Sequence, residues 1–260
     1  MPRVTVGVSL KAYFDRRSAR VWFGEVAELV RAHAGVRSGA VEVFVAPTYL
    51  QLDDARGYLH DAGVRLGVQD VSVHETGAFT GETTAAEAAD SGAVYAEIGH
   101  AERRRLFGET AGTIAAKAAA ALRHGLTPVL CLGEAQRQDA GAAAAATLDQ
   151  LRTDLAGAPG GPVVVAYEPV WAIGAPQPAP VEHITVVTRA LRAALDADPG
   201  RAGSAVIYGG SAGPDLLTRL GDAVDGLFLG RFAHDPAALG RVLDEATALA
   251  ARRAEPEHAR

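Results

Sequence analysis

Val163-Val164-Val165-Ala166-Tyr167-Glu168 is a near-unbroken apolar, β-branched run. A proline-rich loop follows (Ala175–Pro180), then a helical pattern over Glu182–Leu195, then a second apolar run, Ala205–Tyr208. Strands buried on both faces read this way, whereas half-exposed antiparallel strands alternate. The pattern repeats outward in both directions. Strands are expected at Val4–Ser9, Val41–Ala46, Val64–Gln69, Ala93–Ile98, Thr127–Leu132, Val163–Glu168, Ala205–Tyr208 and Gly226–Gly230. Helices are expected at Arg20–His33, Thr110–His124, Thr147–Leu155, Glu182–Leu195 and Pro236–Ala251. In the first helix Val21, Val26, Leu29 and Val30 mark the apolar face, and the second stops at Gly125, a helix-ending glycine. No two strands follow each other without a crossover, so the sheet is parallel with helices outside it. Eight such units in 260 residues predict an α/β fold, a single-domain (β/α)8 barrel. An open doubly wound sheet is the alternative. It usually carries a glycine-rich phosphate turn after its first strand, and here that strand ends in Ser9-Leu10-Lys11.

Composition narrows the function classes. A hydrophobic fraction of 48% excludes bulk disorder, and a net charge of −6 argues against a nucleic-acid surface. No apolar run approaches the roughly 18 residues that span a membrane. Cys131 is the single cysteine, so neither an intramolecular disulfide nor a cysteine-rich metal site can form. No metal-ligand spacing is present, and no cofactor is expected. Met1-Pro2-Arg3 leads straight into a strand-like segment, unlike a signal peptide, which makes a cytoplasmic location the expectation. The charged tail Arg252–Arg260 is expected to fray. Asparagine is absent, and only Lys11 and Lys117 stand against 23 arginines. A lysine surviving such drift draws notice, because arginine cannot always replace it.

In a barrel of this kind the active site lies at the C-terminal strand ends. Standing there are Lys11 after strand one and Gly99-His100-Ala101-Glu102 after strand four. Cys131-Leu132-Gly133-Glu134 ends strand five, and Tyr167-Glu168-Pro169-Val170-Trp171 ends strand six. Tyr208-Gly209-Gly210-Ser211 and Gly230-Arg231 end strands seven and eight. Singly, each has an ordinary structural explanation. Lys117 is expected to be a solvated charge on a helix face, and His33, His60, His124 and His258 to be structural or exposed. A glutamate before proline can simply end a strand, and Gly-Gly-Ser can simply turn. The barrel, however, points all the strand ends at one mouth. There Glu168 would be a desolvated carboxylate suited to act as a base. His100 precedes a helical stretch whose dipole disfavours the imidazolium, leaving a neutral hydrogen-bond donor. Lys11 would supply positive charge near developing negative charge. Gly209, Gly210 and Gly230 offer backbone N–H groups where barrels often hold phosphate. Together these describe proton abstraction beside a carbonyl on a small phosphorylated substrate.

These motifs resemble those of triosephosphate isomerases. Ala166-Tyr167-Glu168-Pro169-Val170-Trp171-Ala172-Ile173-Gly174 is similar to the signature around that family's catalytic glutamate. Ile98-Gly99-His100 with Glu102-Arg103-Arg104 resembles its histidine motif, and Tyr208-Gly209-Gly210-Ser211 its phosphate turn. The resemblance covers about residues 4–250. It implies a TIM barrel and a cofactor-free phosphosugar isomerase, with Lys11, His100 and Glu168 as electrostatic partner, electrophile and base. A glutamate base beside a neutral histidine is the family's own well-known pairing and comes with the resemblance. Also implied are substrate contacts from Ser9, Gly174, Gly209, Gly210, Ser211, Gly230 and Arg231, with Glu102 in support. Gly77-Ala78-Phe79-Thr80-Gly81-Glu82 resembles the loop that enters the partner subunit in the family, implying a homodimer through Gln69–Thr83.

The departures from the family pattern matter as much. Ser9 stands where the family has asparagine, and Ala101 where it has serine. The lid Gly174-Ala175-Pro176-Gln177-Pro178-Ala179 replaces Gly-Thr-Gly-Lys-Thr-Ala, and Gly230-Arg231 replaces paired glycines. A branch of the family that isomerises L-erythrulose 1-phosphate is similar at Ser9, the lid and Gly230-Arg231. Its substrate is dihydroxyacetone phosphate with one added hydroxymethyl group, so the same base and acids would serve. The tetrulose phosphate is the leading expectation, and the glycolytic triose phosphate the alternative. A barrel that binds sugar phosphate without turnover is the third.

Overall fold

Strand β1 (Val4–Ser9) alternates across the wall of a closed barrel. Val4, Val6 and Val8 are buried beneath the helices, whereas Gly7 faces inward against the rings of Phe44 and Phe228. A Cβ at Gly7 would collide with both rings, so glycine is what lets the aromatic plug fill the barrel. The plug comprises Phe44, Val129, Cys131, Val164, Ala166, Ile207 and Phe228, with Tyr95 stacked on Phe44 at 4.4 Å. A larger apolar cluster fills the layer between strands and helices. These two concentric cores are why the strands read as continuous apolar runs.

The computed structural model describes residues 3–255. β1 is followed by β2 (Val41–Ala46), β3 (Arg65–Val68), β4 (Tyr95–Ile98), β5 (Thr127–Leu132), β6 (Val164–Tyr167), β7 (Ala205–Tyr208) and β8 (Gly226–Leu229). Each pairs in parallel with the next, and β8 returns to β1 through Val8 opposite Leu229. The barrel is therefore closed, and the open-sheet alternative falls.

Ten α-helices appear among the described residues: α1 (Arg16–Ala32), α2 (Ala34–Arg37), α3 (Leu52–Leu59), α4 (Ala85–Asp90), α5 (Ala101–Phe107), α6 (Ala111–Arg123), α7 (Ala140–Asp154), α8 (Val181–Asp196), α9 (Leu216–Leu220) and α10 (Pro236–Ala254). α1 starts four residues before the sequence expectation because Asp15 caps it, accepting from Ser18 N–H. α7 starts seven residues early, capped by Asp139, through an alanine run that shows no apolar periodicity. None of the ten is long and apolar enough to cross a membrane.

Two expectations need correction. Lys117 is buried, not solvated: its ammonium lies 2.6 Å from both Asp70 and Glu109, and Arg103 joins the same two carboxylates. Burial of one lysine between two carboxylates that it shares with Arg103 ties α6 to the start of the segment after β3. The tail begins later than Arg252, because α10 runs to Ala254 and Arg253 holds Asp222 and the Val224 carbonyl. His258 and the rest of the tail beyond Glu255 lie outside the described residues.

Candidate active site

The C-terminal mouth of the barrel opens into a cavity of about 1110 Å3, lined among others by Ser9, Lys11, His100, Ala101, Glu102, Glu168, Gly174, Gly209, Ser211, Gly230 and Arg231. Apart from Ala101, these are ten of the eleven residues to which the resemblance assigns a site role. Gly210, the eleventh, is beside Gly209 in the chain.

Lys11 follows β1 in a left-handed backbone conformation, φ +49°, that a side chain rarely adopts. Gln69 holds it there, donating to the carbonyls of Lys11 and Ala46 at 3.0 Å. Such strain is kept where surrounding contacts over-determine it, as at functional sites. The Lys11 ammonium lies 3.0 Å from Glu102 Oε1 and 3.0 Å from His100 Nε2. Burial lowers the lysine's affinity for its proton, but the charges of Glu168, Glu97 and Glu102 outweigh it and hold the pKa above the ordinary value. In Glu102 burial pushes the carboxyl up, and the Lys11 ammonium more than reverses that.

His100 caps α5, accepting at Nδ1 from the Glu102 N–H at 3.1 Å. A backbone N–H can only donate, so in the neutral ring the proton sits on Nε2. The short approach of Lys11 to Nε2 then sets two donors side by side, both fit for one substrate oxygen. Facing them, Glu168 Oε2 stands 3.6 Å from His100 Nε2, buried and without a hydrogen-bond partner among the described residues. A carboxylate oxygen left unpaired in a buried site is free to take a proton. Its backbone is fixed by Glu168 N–H to the Leu132 carbonyl at 2.7 Å, and by Gly133, where any Cβ would strike the Glu168 carbonyl.

The opposite side of the mouth is rich in N–H groups. Among the described residues, those of Gly174, Gly210, Ser211 and Gly230 donate to no protein acceptor. Gly174 and Ser211 have φ of +72° and +54°. Gly209 differs from the sequence expectation: its N–H already donates to the Tyr167 carbonyl at 3.0 Å. What it provides instead is room, because a Cβ there would lie 2.7 Å from Glu168 Cγ. The Ser211 hydroxyl is directed at the lid, toward the carbonyls of Ala172 (2.8 Å) and Ala175 (2.9 Å). Tyr208 OH accepts from Ala179 N–H at 3.0 Å, fixing the lid's far end. Arg231 is exposed and reaches across to the lid, its Nη2 3.8 Å from where a Cβ on Gly174 would stand.

Two buried carboxylates were given no role in the sequence reading. Glu134 is buried and accepts from Tyr167 OH (3.0 Å) and Trp171 Nε1 (2.8 Å), with His183 Nε2 at 3.0 Å, which pins the stem of the lid. Glu97 is buried inside the barrel and accepts from Ser9 Oγ at 2.7 Å. The signal for Glu97 was a lone charge within the apolar run that forms β4.

Residues 4–246 match the family model described as triosephosphate isomerase. The chain is 45% identical to an L-erythrulose-1-phosphate isomerase of Pectobacterium atrosepticum, over 96% of this chain and 98% of that protein. It is 42% identical to a triosephosphate isomerase of Thermus thermophilus, over 84% and 89%. A Mycolicibacterium smegmatis L-erythrulose-1-phosphate isomerase is 39% identical over 94% and 93%. With its closed barrel, its lysine, histidine and glutamate at one mouth, and a match along nearly its whole length, this chain belongs to the triosephosphate isomerase family.

Proposed function

We propose that the enzyme interconverts L-erythrulose 1-phosphate and D-erythrulose 4-phosphate by proton transfer through an enediolate, without a cofactor. The phosphate sits against the N–H groups of Gly174, Gly210, Ser211 and Gly230, where backbone donors favour an anion. Glu168 Oε2 takes the proton from C3, the hydroxyl-bearing carbon beside the C2 carbonyl. Lys11 and His100 Nε2 donate to the carbonyl oxygen as negative charge develops there. Glu168 returns the proton to C2, while a proton moves from the C3 oxygen to the C2 oxygen through His100. No net oxidation results, and the carbonyl has moved by one carbon. Glu102 supports the Lys11 ammonium.

One observation carries the catalytic reading: an unpaired, buried Glu168 oxygen faces two donors on Lys11 and His100. The small residues Ser9 and Ala101 support the tetrulose phosphate as substrate, as do relatives bearing that activity's name at high coverage. The same three groups would also act on triose phosphate, the activity in the name of the Thermus relative. The enzyme works as a homodimer through residues 69–83, where exposed Phe79 stacks on His74 at 3.9 Å. A cytoplasmic location fits a chain with one buried, free cysteine.

The test is proton NMR of L-erythrulose 1-phosphate with the enzyme in D2O. The expected result is deuterium entering the reacting carbons as the 4-phosphate appears, with both processes lost in Glu168→Gln. Exchange that persists in Glu168→Gln would contradict the assignment of the base.

A further inference from the structure

Glu97 is an anomaly in the barrel. Strand alternation puts it on the same face as Tyr95, which stacks on Phe44 in the interior plug. Its carboxyl is therefore inside the core, 4% exposed, where an unpartnered charge would be strongly disfavoured. Ser9, at the end of β1 and 3% exposed, donates to its Oε2 at 2.7 Å. β1 and β4 are not neighbours in the sheet, so this bond crosses the barrel interior. Burial pushes the Glu97 carboxyl up, and electrostatic attraction to His100 and Lys11 pulls it only part of the way back. Ser9 lines the cavity with Lys11, His100 and Glu168, while Glu97 stands behind it.

A serine hydroxyl has one proton. With that proton held by the Glu97 carboxylate, Ser9 Oγ turns only lone pairs to the cavity. The mouth then presents donors on Lys11 and His100 and an acceptor on Ser9. The free N–H groups that suit phosphate lie at the ends of β6, β7 and β8; Ser9 ends β1, beside β8, but its hydroxyl crosses the interior to Glu97 on β4, the strand opposite β8. In the tetrulose phosphate the terminal hydroxymethyl projects from the reacting carbons away from the phosphate, and it brings an O–H donor that a triose phosphate does not have at that place. The geometry points to Glu97 as a specificity-determining positioning residue: it orients Ser9 so that Ser9 Oγ accepts a hydrogen bond from the terminal hydroxyl of the tetrulose phosphate. This rests on the tetrulose-phosphate reading given above.

The experiment measures kcat/KM for L-erythrulose 1-phosphate and dihydroxyacetone phosphate in the parent, Glu97→Gln, Ser9→Ala and the double variant. Glutamine can donate to Ser9 and so reverse the polarity of the contact. Parental turnover of the tetrulose phosphate is read first, since its absence defeats the proposed function itself and this inference with it. With that turnover present, Glu97→Gln should lower the tetrulose-to-triose ratio by about tenfold, the scale of one lost substrate contact. Ser9→Ala should give a similar shift, and the double variant no more than either, because the two act as one unit. If Glu97→Gln does not fold, Ser9→Ala reads the same contact. An equal fall for both substrates would assign Glu97 to the field around Lys11 and His100. That outcome, or an unchanged ratio, overturns the inference.

Discussion

Gly209→Ala should slow the chemical step by about 100-fold while leaving the barrel folded. The glycine ends β7 with its N–H bonded to the Tyr167 carbonyl, a bond alanine keeps. Its φ is not in the left-handed region, so alanine meets no backbone strain. The obstacle is the added Cβ, which would lie 2.7 Å from Glu168 Cγ and 2.9 Å from Cδ, closer still to Oε1, where ordinary contact begins at 3.4 Å. The carboxylate must retreat by about 0.7–1 Å. A reacting group misplaced by ~1 Å loses on the order of 100-fold, about 2.7 kcal/mol of barrel-mouth catalysis at 1.36 kcal/mol per tenfold. The N–H groups offered to phosphate belong to other residues, so kcat should fall with KM little changed. Steady-state kinetics with the best substrate, beside a thermal melt by circular dichroism, makes the check. A folded Gly209→Ala enzyme with the parental kcat would refute the argument that Glu168 acts as base from this position.

Arg231 reaches over the start of the lid. Replacing it by glycine, together with the family's Gly-Thr-Gly-Lys-Thr-Ala lid, should raise kcat/KM for triose phosphate relative to tetrulose phosphate by about tenfold. An unchanged ratio with both activities intact would make these departures neutral. Sedimentation at micromolar concentration should show a dimer for the parent. A monomer there would remove residues 69–83 as an interface. Glu97 gives a pH signature. Burial holds its pKa above the unfolded value, so its contribution to stability is fully present below about pH 4.5 and is lost as pH rises through the folded value. Glu97→Gln should therefore raise the melting temperature more at pH 8 than at pH 4, and an equal change at both would contradict this.

The strands were legible because both faces of each are buried, which leaves an unmistakable apolar run. The helices that were missed lack that mark. α5 buries no residue, and its Glu-Arg-Arg-Arg stretch shows no apolar face. α7 was expected, but only from Thr147, because it begins in alanines too small to reveal a period. Lys11, His100 and Glu168 could be singled out because they stand at strand ends, a place that topology alone defines. Lys117 could not be placed, since its partner Asp70 lies 47 residues away and comes within reach only in the folded barrel. The role of Gly209 was hidden for the same reason: it depends on the distance between the ends of β6 and β7. Glu97 was visible as a charge in an apolar strand, but only its bond to Ser9 across the interior gives the charge a use.

The most direct test of the account is kcat/KM of the purified parental enzyme for L-erythrulose 1-phosphate and for dihydroxyacetone phosphate, measured side by side. Because one methylene-sized group is worth about 1–3 kcal/mol, the account predicts a preference for the tetrulose phosphate of at least about tenfold. A preference of that size for dihydroxyacetone phosphate would contradict it and make the chain an ordinary triosephosphate isomerase.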